Sequence, residues 1–191
     1  KTKKDLPTVT KIYEWLHEKG AERSDIIFSL GGGVATDLVG YVAATWLRGI
    51  KLIHIPTTLA SMVDASIGGK TAVNLKQGKN LVGAFYQPKL IIMDTESLST
   101  LPEREMNSGW AEALKHSFLV DEHLFDKFNN NSDKLLDKKE PIFSDIIRRS
   151  VENKANILSK DEYETGEERI RLNFGHTNGH ELESHHSNTH I

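Results

Sequence analysis

DIIFSLGGGVATDLVGYVAATWL, residues 25–47, sets a short apolar run, three consecutive glycines and a helically spaced stretch in direct succession. Residues 25 to 30 have the length and apolarity of a strand buried in a parallel sheet. After Gly31, Gly32 and Gly33, the positions Val34, Leu38, Val42 and Ala43 recur at the helical period. Strand, glycine turn and helix are the opening of a βα unit. Glycine permits positive φ and lets a ligand approach the backbone closely. A helix that starts on such a turn aims its unbonded N–H groups and the positive end of its dipole at an anion. A dinucleotide pyrophosphate suits that place. A tight βα turn with no ligand is the other reading, since the pattern is not G-x-G-x-x-G. Asp37 falls one turn into the helix.

Working outward, IKLIHIP (50–56) and KLIIMDT (89–95) are two more strand-like runs. Helices between buried strands imply a parallel sheet with crossovers. Upstream, KTKKDLPTVTKIYEWLHEKG reads as a helix already under way, with Ile12, Tyr13 and Leu16 on its apolar face and Gly20 as its stop. It lacks the apolar core of a signal peptide. A chain that opens and closes this way is expected to be a fragment. Beyond residue 97 the pattern turns helical: LPEREMNSGWAEALKHSFLVDEHLFDKF and EPIFSDIIRRSVENKANILSKDE have helical spacing, Pro141 stands near the start of the second, and the asparagine run at 129–133 reads as a loop. The expected fold class is α/β: a parallel-sheet nucleotide-binding part over residues 1–97, followed by an all-helical part over 98–191, incomplete at both ends.

Composition removes several function classes. The net charge of the 191-residue chain is -3, which gives no reason to expect nucleic acid as a partner. No apolar run approaches the roughly 20 residues that span a bilayer, so no membrane partner is expected. There is no cysteine, hence no disulfide and no thiolate ligand or nucleophile. That fits a cytoplasmic protein, and it leaves His, Asp and Glu to hold any metal.

Three stretches carry candidate chemistry. HIPTTLASMVDASIGGKTAVNLKQGKN (54–80) follows a strand end, where parallel sheets gather ligands. It holds Thr57, Thr58, Asp64 and Asn80, and its two lysines, Lys70 and Lys79, among several glycines suit a phosphorylated substrate. The alternative is a long surface loop with solvated lysines, although compact domains rarely keep so many irregular residues without a functional reason. GWAEALKHS (109–117) puts Glu112 and His116 on one helix face, four apart, while Glu112 and Lys115 read first as a plain surface pair. RIRLNFGHTNGH (169–180) sets His176 and His180 at the i, i+4 spacing of helical metal ligands, weakened by Gly175 and Gly179. A Glu from an earlier helix with two later histidines would match a catalytic zinc with an open position.

Taken together, GGGVATDLVGYVAATWLRG, IPTTLASMVDASIGGKTAVN, GKNLVGAFYQP, LPEREMNSGWAEALKH and LNFGHTNGHELE resemble the 3-dehydroquinate synthase family, over roughly residues 9 to 184. The resemblance implies an N-terminal nucleotide domain and a C-terminal helical domain with the active site between them. It implies bound NAD and a divalent metal, Zn2+ in the usual case and Co2+ otherwise, in an enzyme that is a homodimer at full length. The implied reaction is a phosphate-eliminating carbon–oxygen lyase step of the shikimate pathway, converting 3-deoxy-D-arabino-heptulosonate 7-phosphate to 3-dehydroquinate. By this resemblance Gly31, Gly32, Gly33, Asp37, Thr57, Thr58, Lys79 and Thr100 hold NAD. Glu112 and His176 match two metal ligands, and His190 matches the third across a short gap, with His185 and His186 nearby. Arg48, Asp64, Lys70, Asn80, Lys115, Lys154, Arg169, Asn173 and His180 match substrate contacts. Another sugar-phosphate cyclase, an iron-type polyol dehydrogenase or a non-catalytic binding module are the alternatives. For the chain by itself, weak NAD binding and little turnover are expected.

Overall fold

The computed structural model describes residues 3–160. Helix α1 (Leu6–Glu18) has its own start. Asp5 caps it, its side chain accepting from the Thr8 amide at 2.9 Å, with Pro7 in the first turn. It closes at Gly20, whose φ of 65° lets the Gly20 and Ala21 amides return to His17 and Leu16 carbonyls. The expectation of a helix already under way is therefore corrected: an aspartate two places before a proline is itself a start signal.

Strand β1 (Ile26–Gly31), helix α2 (Gly33–Thr45) and strand β2 (Lys51–Pro56) form the βα unit read from the sequence. β1 and β2 are parallel in register Gly31↔Pro56, and β5 (Leu90–Ile91) continues the sheet beside β2. This register brings the glycine turn level with Pro56, and the Thr57 amide donates to the Gly31 carbonyl at 2.9 Å. The strands' carboxyl ends thus share one edge. Burial of β1 is one-sided. Ser29 is buried, but Phe28 is 57% and Leu30 68% exposed, because α2 covers one sheet face and nothing among the described residues covers the other.

Between β2 and β5, a strand pair lies where the sequence reads as loop. β3 (Lys70–Leu75) and β4 (Gly78–Phe85) make an antiparallel hairpin closed by Lys76 and Gln77. Thr71 and Val73 point inward, a period of two that the flanking glycines and lysines obscure. The hairpin lies under α2, where Gly40 permits close approach: a Cβ there would meet Thr71 Cγ2 at 2.4 Å.

The helical part comprises α3 (Glu103–Val120), α4 (Glu122–Asn130), α5 (Ser132–Leu136) and α6 (Ile142–Lys160). The expected asparagine-rich loop shrinks to Asn131, whose side chain donates back to the Lys127 carbonyl. The largest core joins Leu59, Met62 and Val63, from the segment after β2, to Leu98, Met106, Ala113, Leu124, Phe128, Phe143 and Ile146. That segment is therefore part of the helical core as much as of the sheet.

Two stability predictions arise here. Asp121 caps α4 by accepting from the Leu124 amide, and it also accepts from Arg149 Nε at 2.6 Å and Asn153 Nδ2 at 2.8 Å. Arg149 above all holds this carboxyl well below the usual carboxylate range. Asp121→Ala should cost about 2 kcal/mol, roughly half for the lost cap and half for the partly solvated pair, read by urea denaturation at pH 7. His54 on β2 is 2% exposed and its Nδ1 has no partner among the described residues. Burial lowers its pKa from 6.5 to about 4. A depressed histidine stabilises fully above pH 6.5 and loses that contribution as pH falls toward 4. The expected loss over this window is about 3 kcal/mol. His54→Leu should flatten the stability profile there, and an unchanged slope would refute the assignment.

Candidate active site

The first group of residues gathers at the carboxyl edge of the sheet. Gly32 is the N-cap of α2, and no side chain caps that helix. The amides of Gly33 and Val34 head the helix, while those of Ala35 and Thr36 donate to the Gly32 carbonyl, and a Cβ on Gly32 would strike Thr58 Cγ2 at 2.9 Å. Thr58 is held in place by its hydroxyl contact to Ser61 Oγ at 2.8 Å. Gly31, Gly32, Gly33, Thr57 and Thr58 are thus brought together. Asp37 follows on α2, engaged by the Lys4 ammonium, which also donates to Asn80 Oδ1 at 2.6 Å. Burial raises the Asp37 carboxyl above its ordinary value despite that pairing. Asn80 takes a left-handed φ of 58°, its amide donating to Asn74 Oδ1. Lys4 is a residue that sequence reasoning missed. In KTKKD it is one lysine among three, and nothing marks it as the buried one.

The second group surrounds Asp64. The chain makes a single π-helical turn at Ser61–Ala65, which presents Asp64 toward α3 and α6. Lys154, from α6, donates to the Asp64 carbonyl at 2.6 Å and to its carboxylate. On α3, one face carries Glu112, Lys115 and His116. The Lys115 ammonium contacts Glu112 Oε1, and His116 Nε2 stands 3.2 Å from the same oxygen and 3.9 Å from Asp64 Oδ1. Burial by itself would raise both carboxyls. For Asp64 the Lys154 ammonium outweighs it, helped by His116 and Lys115. For Glu112 the contacts with His116 and Lys115 outweigh both burial and the repulsion of Asp64. Both are thereby held below their ordinary values and carry charge at neutral pH. One oxygen of each carboxylate and a ring nitrogen of His116 lie within 4.8 Å of one another, the spacing of groups that hold a divalent cation.

Arg48 follows α2, with φ of 65° in the turn that leads into β2. The 13 residues of α2 span roughly 20 Å, so Arg48 lies at the opposite sheet edge from the glycine turn. Lys70 opens β3 and Lys79 sits early in β4, both exposed, and Thr100 is exposed in the turn after Leu98. Arg169, Asn173, His176, His180 and His190 lie outside the described residues.

The donor chemistry fits both expected cofactors. A glycine cradle at an uncapped helix start suits a pyrophosphate, and two ionised carboxylates beside an imidazole suit a divalent cation. Among the described residues, no helix is long and apolar enough to cross a membrane.

Comparison with known proteins follows these residues. The 3-dehydroquinate synthase of Prochlorococcus marinus (strain AS9601) is 47% identical over 183 residues, covering 95% of this chain and 50% of that protein. The chain spans about half the length of the curated relatives it matches. Among solved structures, ValA, a 2-epi-5-epi-valiolone synthase from Streptomyces hygroscopicus subsp. jinggangensis 5008 with NAD+ and Zn2+ bound, superposes with a TM-score of 0.91 at 30% identity, covering 100% of this chain and 53% of that one. A 2-deoxy-scyllo-inosose synthase complexed with carbaglucose-6-phosphate, NAD+ and Co2+ gives 0.82 at 31% identity, covering 97% and 50%. The family model for the 3-dehydroquinate synthase N-terminal part matches residues 1–108, and that for the C-terminal part matches residues 109–191. From its first helix to its last residues, the chain belongs to the 3-dehydroquinate synthase family.

Proposed function

We propose that this chain carries the nucleotide and cation sites of a 3-dehydroquinate synthase, a cytoplasmic enzyme of the shikimate pathway that is a homodimer at full length. Its substrate is the phosphorylated sugar acid 3-deoxy-D-arabino-heptulosonate 7-phosphate. The observation that carries the reading is the meeting of Glu112 and Asp64, from separate elements, at one charged centre flanked by Lys115 and Lys154. Its identity of 47% to a 3-dehydroquinate synthase, against 30% to the valiolone synthase, favours this substrate over other cyclase substrates.

When bound, NAD supplies a reversible hydride acceptor and the divalent cation, Zn2+ or Co2+, a Lewis acid. Gly31, Gly32 and Gly33 hold the pyrophosphate against the first turn of α2, with Thr57 and Thr58 alongside and Asp37, Lys79 and Thr100 as further nucleotide contacts. Glu112 holds the cation, with His176 and His190 as its partners. Lys154 and Lys115 neutralise Asp64 and Glu112 within the chain and are placed to turn toward an anionic substrate, whose phosphate and carboxylate both attract ammonium groups. Lys70, Asn80, Arg169, Asn173 and His180 complete the substrate contacts. Arg48, on the other sheet edge of its own chain, serves a substrate only if one is presented there.

A second reading, a cyclase acting on another sugar phosphate, draws on the TM-score of 0.91 with the valiolone synthase. A panel separates them. Phosphate release from the heptulosonate 7-phosphate, absent with glucose 6-phosphate and with a heptulose 7-phosphate that lacks the carboxylate, is the expected result. Turnover of another sugar phosphate but not of the heptulosonate would refute the proposal.

A further inference from the structure

His116 is 1% exposed, and neither ring nitrogen completes a hydrogen bond among the described residues. An imidazole buried with both nitrogens unmatched is costly unless something offsets it. Among the described residues, Glu112 Oε1 stands 3.2 Å and Asp64 Oδ1 3.9 Å from Nε2. One lies a helical turn before His116 on α3 and the other on the π-turn, so the ring stands behind both carboxylates at the junction of the two parts of the chain.

Why a histidine rather than a leucine at a core position? A leucine would fill the space without an unmatched polar atom. What the ring adds is a single rigid donor directed at carboxylate oxygens, a contact that differs from those of the lysines. Lys115 and Lys154 reach Glu112 and Asp64 through long flexible stems. A ring buried to 1% exposure does not swing away.

We propose that His116 is a positioning residue. Its Nε2–H closes onto Oε1 of Glu112 and fixes that carboxylate in the orientation that receives the divalent cation. Asp64 bounds the other side of the ring and sets its tilt. Hydrogen-bonding partners behind metal ligands tune cation affinity, typically by 10–100-fold. The inference rests on the reading of Glu112 as a cation ligand.

The test compares His116→Gln, which keeps a donor near the position of Nε2, with His116→Met, which fills similar space without one. In NAD-supplemented protein, Co2+ is titrated by calorimetry and its visible d–d spectrum is recorded. Unfolding midpoints are measured in chelator, and Glu112→Gln is the control. His116→Met is expected to bind Co2+ at least 10-fold more weakly than wild type, with a shifted spectrum. His116→Gln is expected to lie within about 3-fold of wild type. The two variants should unfold at closely similar midpoints in chelator. Equal Co2+ affinity in His116→Gln and His116→Met overturns the proposal, whatever their unfolding midpoints. If Glu112→Gln weakens binding while both His116 variants bind like wild type, the positioning role is lost and the cation site stands. If Glu112→Gln itself binds like wild type, the site assignment falls and this proposal with it.

Discussion

Glu112→Gln should lower affinity for Zn2+ or Co2+ by at least about 100-fold and phosphate release by about a thousandfold, while leaving the unfolding free energy within about 1 kcal/mol of wild type. The amide keeps the shape of the side chain and one acceptor oxygen, so the packing of α3 is preserved. What it removes is the negative charge. His116 and Lys115 hold the Glu112 carboxyl below its ordinary value, against burial and the repulsion of Asp64. A group that is already ionised at neutral pH binds a cation without first losing a proton. The amide offers no such charge, and the Lys115 ammonium loses its ionic partner. A Lewis acid contributes several kcal/mol to stabilising developing charge, which sets the scale of the rate loss. Calorimetric titration and a phosphate assay check the two halves separately. A variant that retains its metal and normal activity would remove Glu112 from the site.

The sequence carried the βα unit in full. The apolar run, the glycines and the helical spacing of Val34, Leu38 and Val42 are local signals, and the strand, turn and helix appear where those signals lie. It carried the segment 70–85 poorly, because a hairpin stabilised by packing under α2 needs Gly40 and Thr71, which are distant in sequence. The site divides in the same way. Glu112 and His116 are four apart on one helix and could be paired by spacing alone. Asp64 and Lys154 are 90 positions apart, and only the π-turn against α6 makes them neighbours. Lys4 meets Asp37 and Asn80 across gaps of 33 and 76 positions, with no local pattern to announce it. Exposure of Phe28 and Leu30 could not be read either, since apolarity reports a tendency to be covered and says nothing of what covers the strand.

Gly109 is where fold and site depend on one atom's absence. It lies on α3 one turn before Glu112 and packs directly on the chain that follows β2. An added Cβ would stand 2.5 Å from Leu59 Cβ and Cγ and 2.7 Å from the Ala60 backbone nitrogen. Leu59 is fully buried in the main core, so it has no free volume to retreat into, and a backbone atom has no rotamer to change. In an open helix, Gly→Ala would stabilise by about 1 kcal/mol through propensity. Here overpacking opposes it, and the net effect of Gly109→Ala should be a loss of about 3 kcal/mol, at the upper end of the usual range for overfilled cores. The strain is relieved by moving α3 away from residues 59 and 60, a few positions before the turn that carries Asp64. Glu112 and His116 move with α3, and Asp64 does not. Co2+ affinity should therefore fall along with stability, by at least 10-fold under conditions where the variant is still folded. The control is Gly40→Ala, which disturbs α2 against Thr71 but leaves α3 in place. It should lose stability with cation affinity near wild type. Equal losses of affinity in the two variants would mean that cation binding follows global stability, and that the spacing of α3 from the π-turn does not set it.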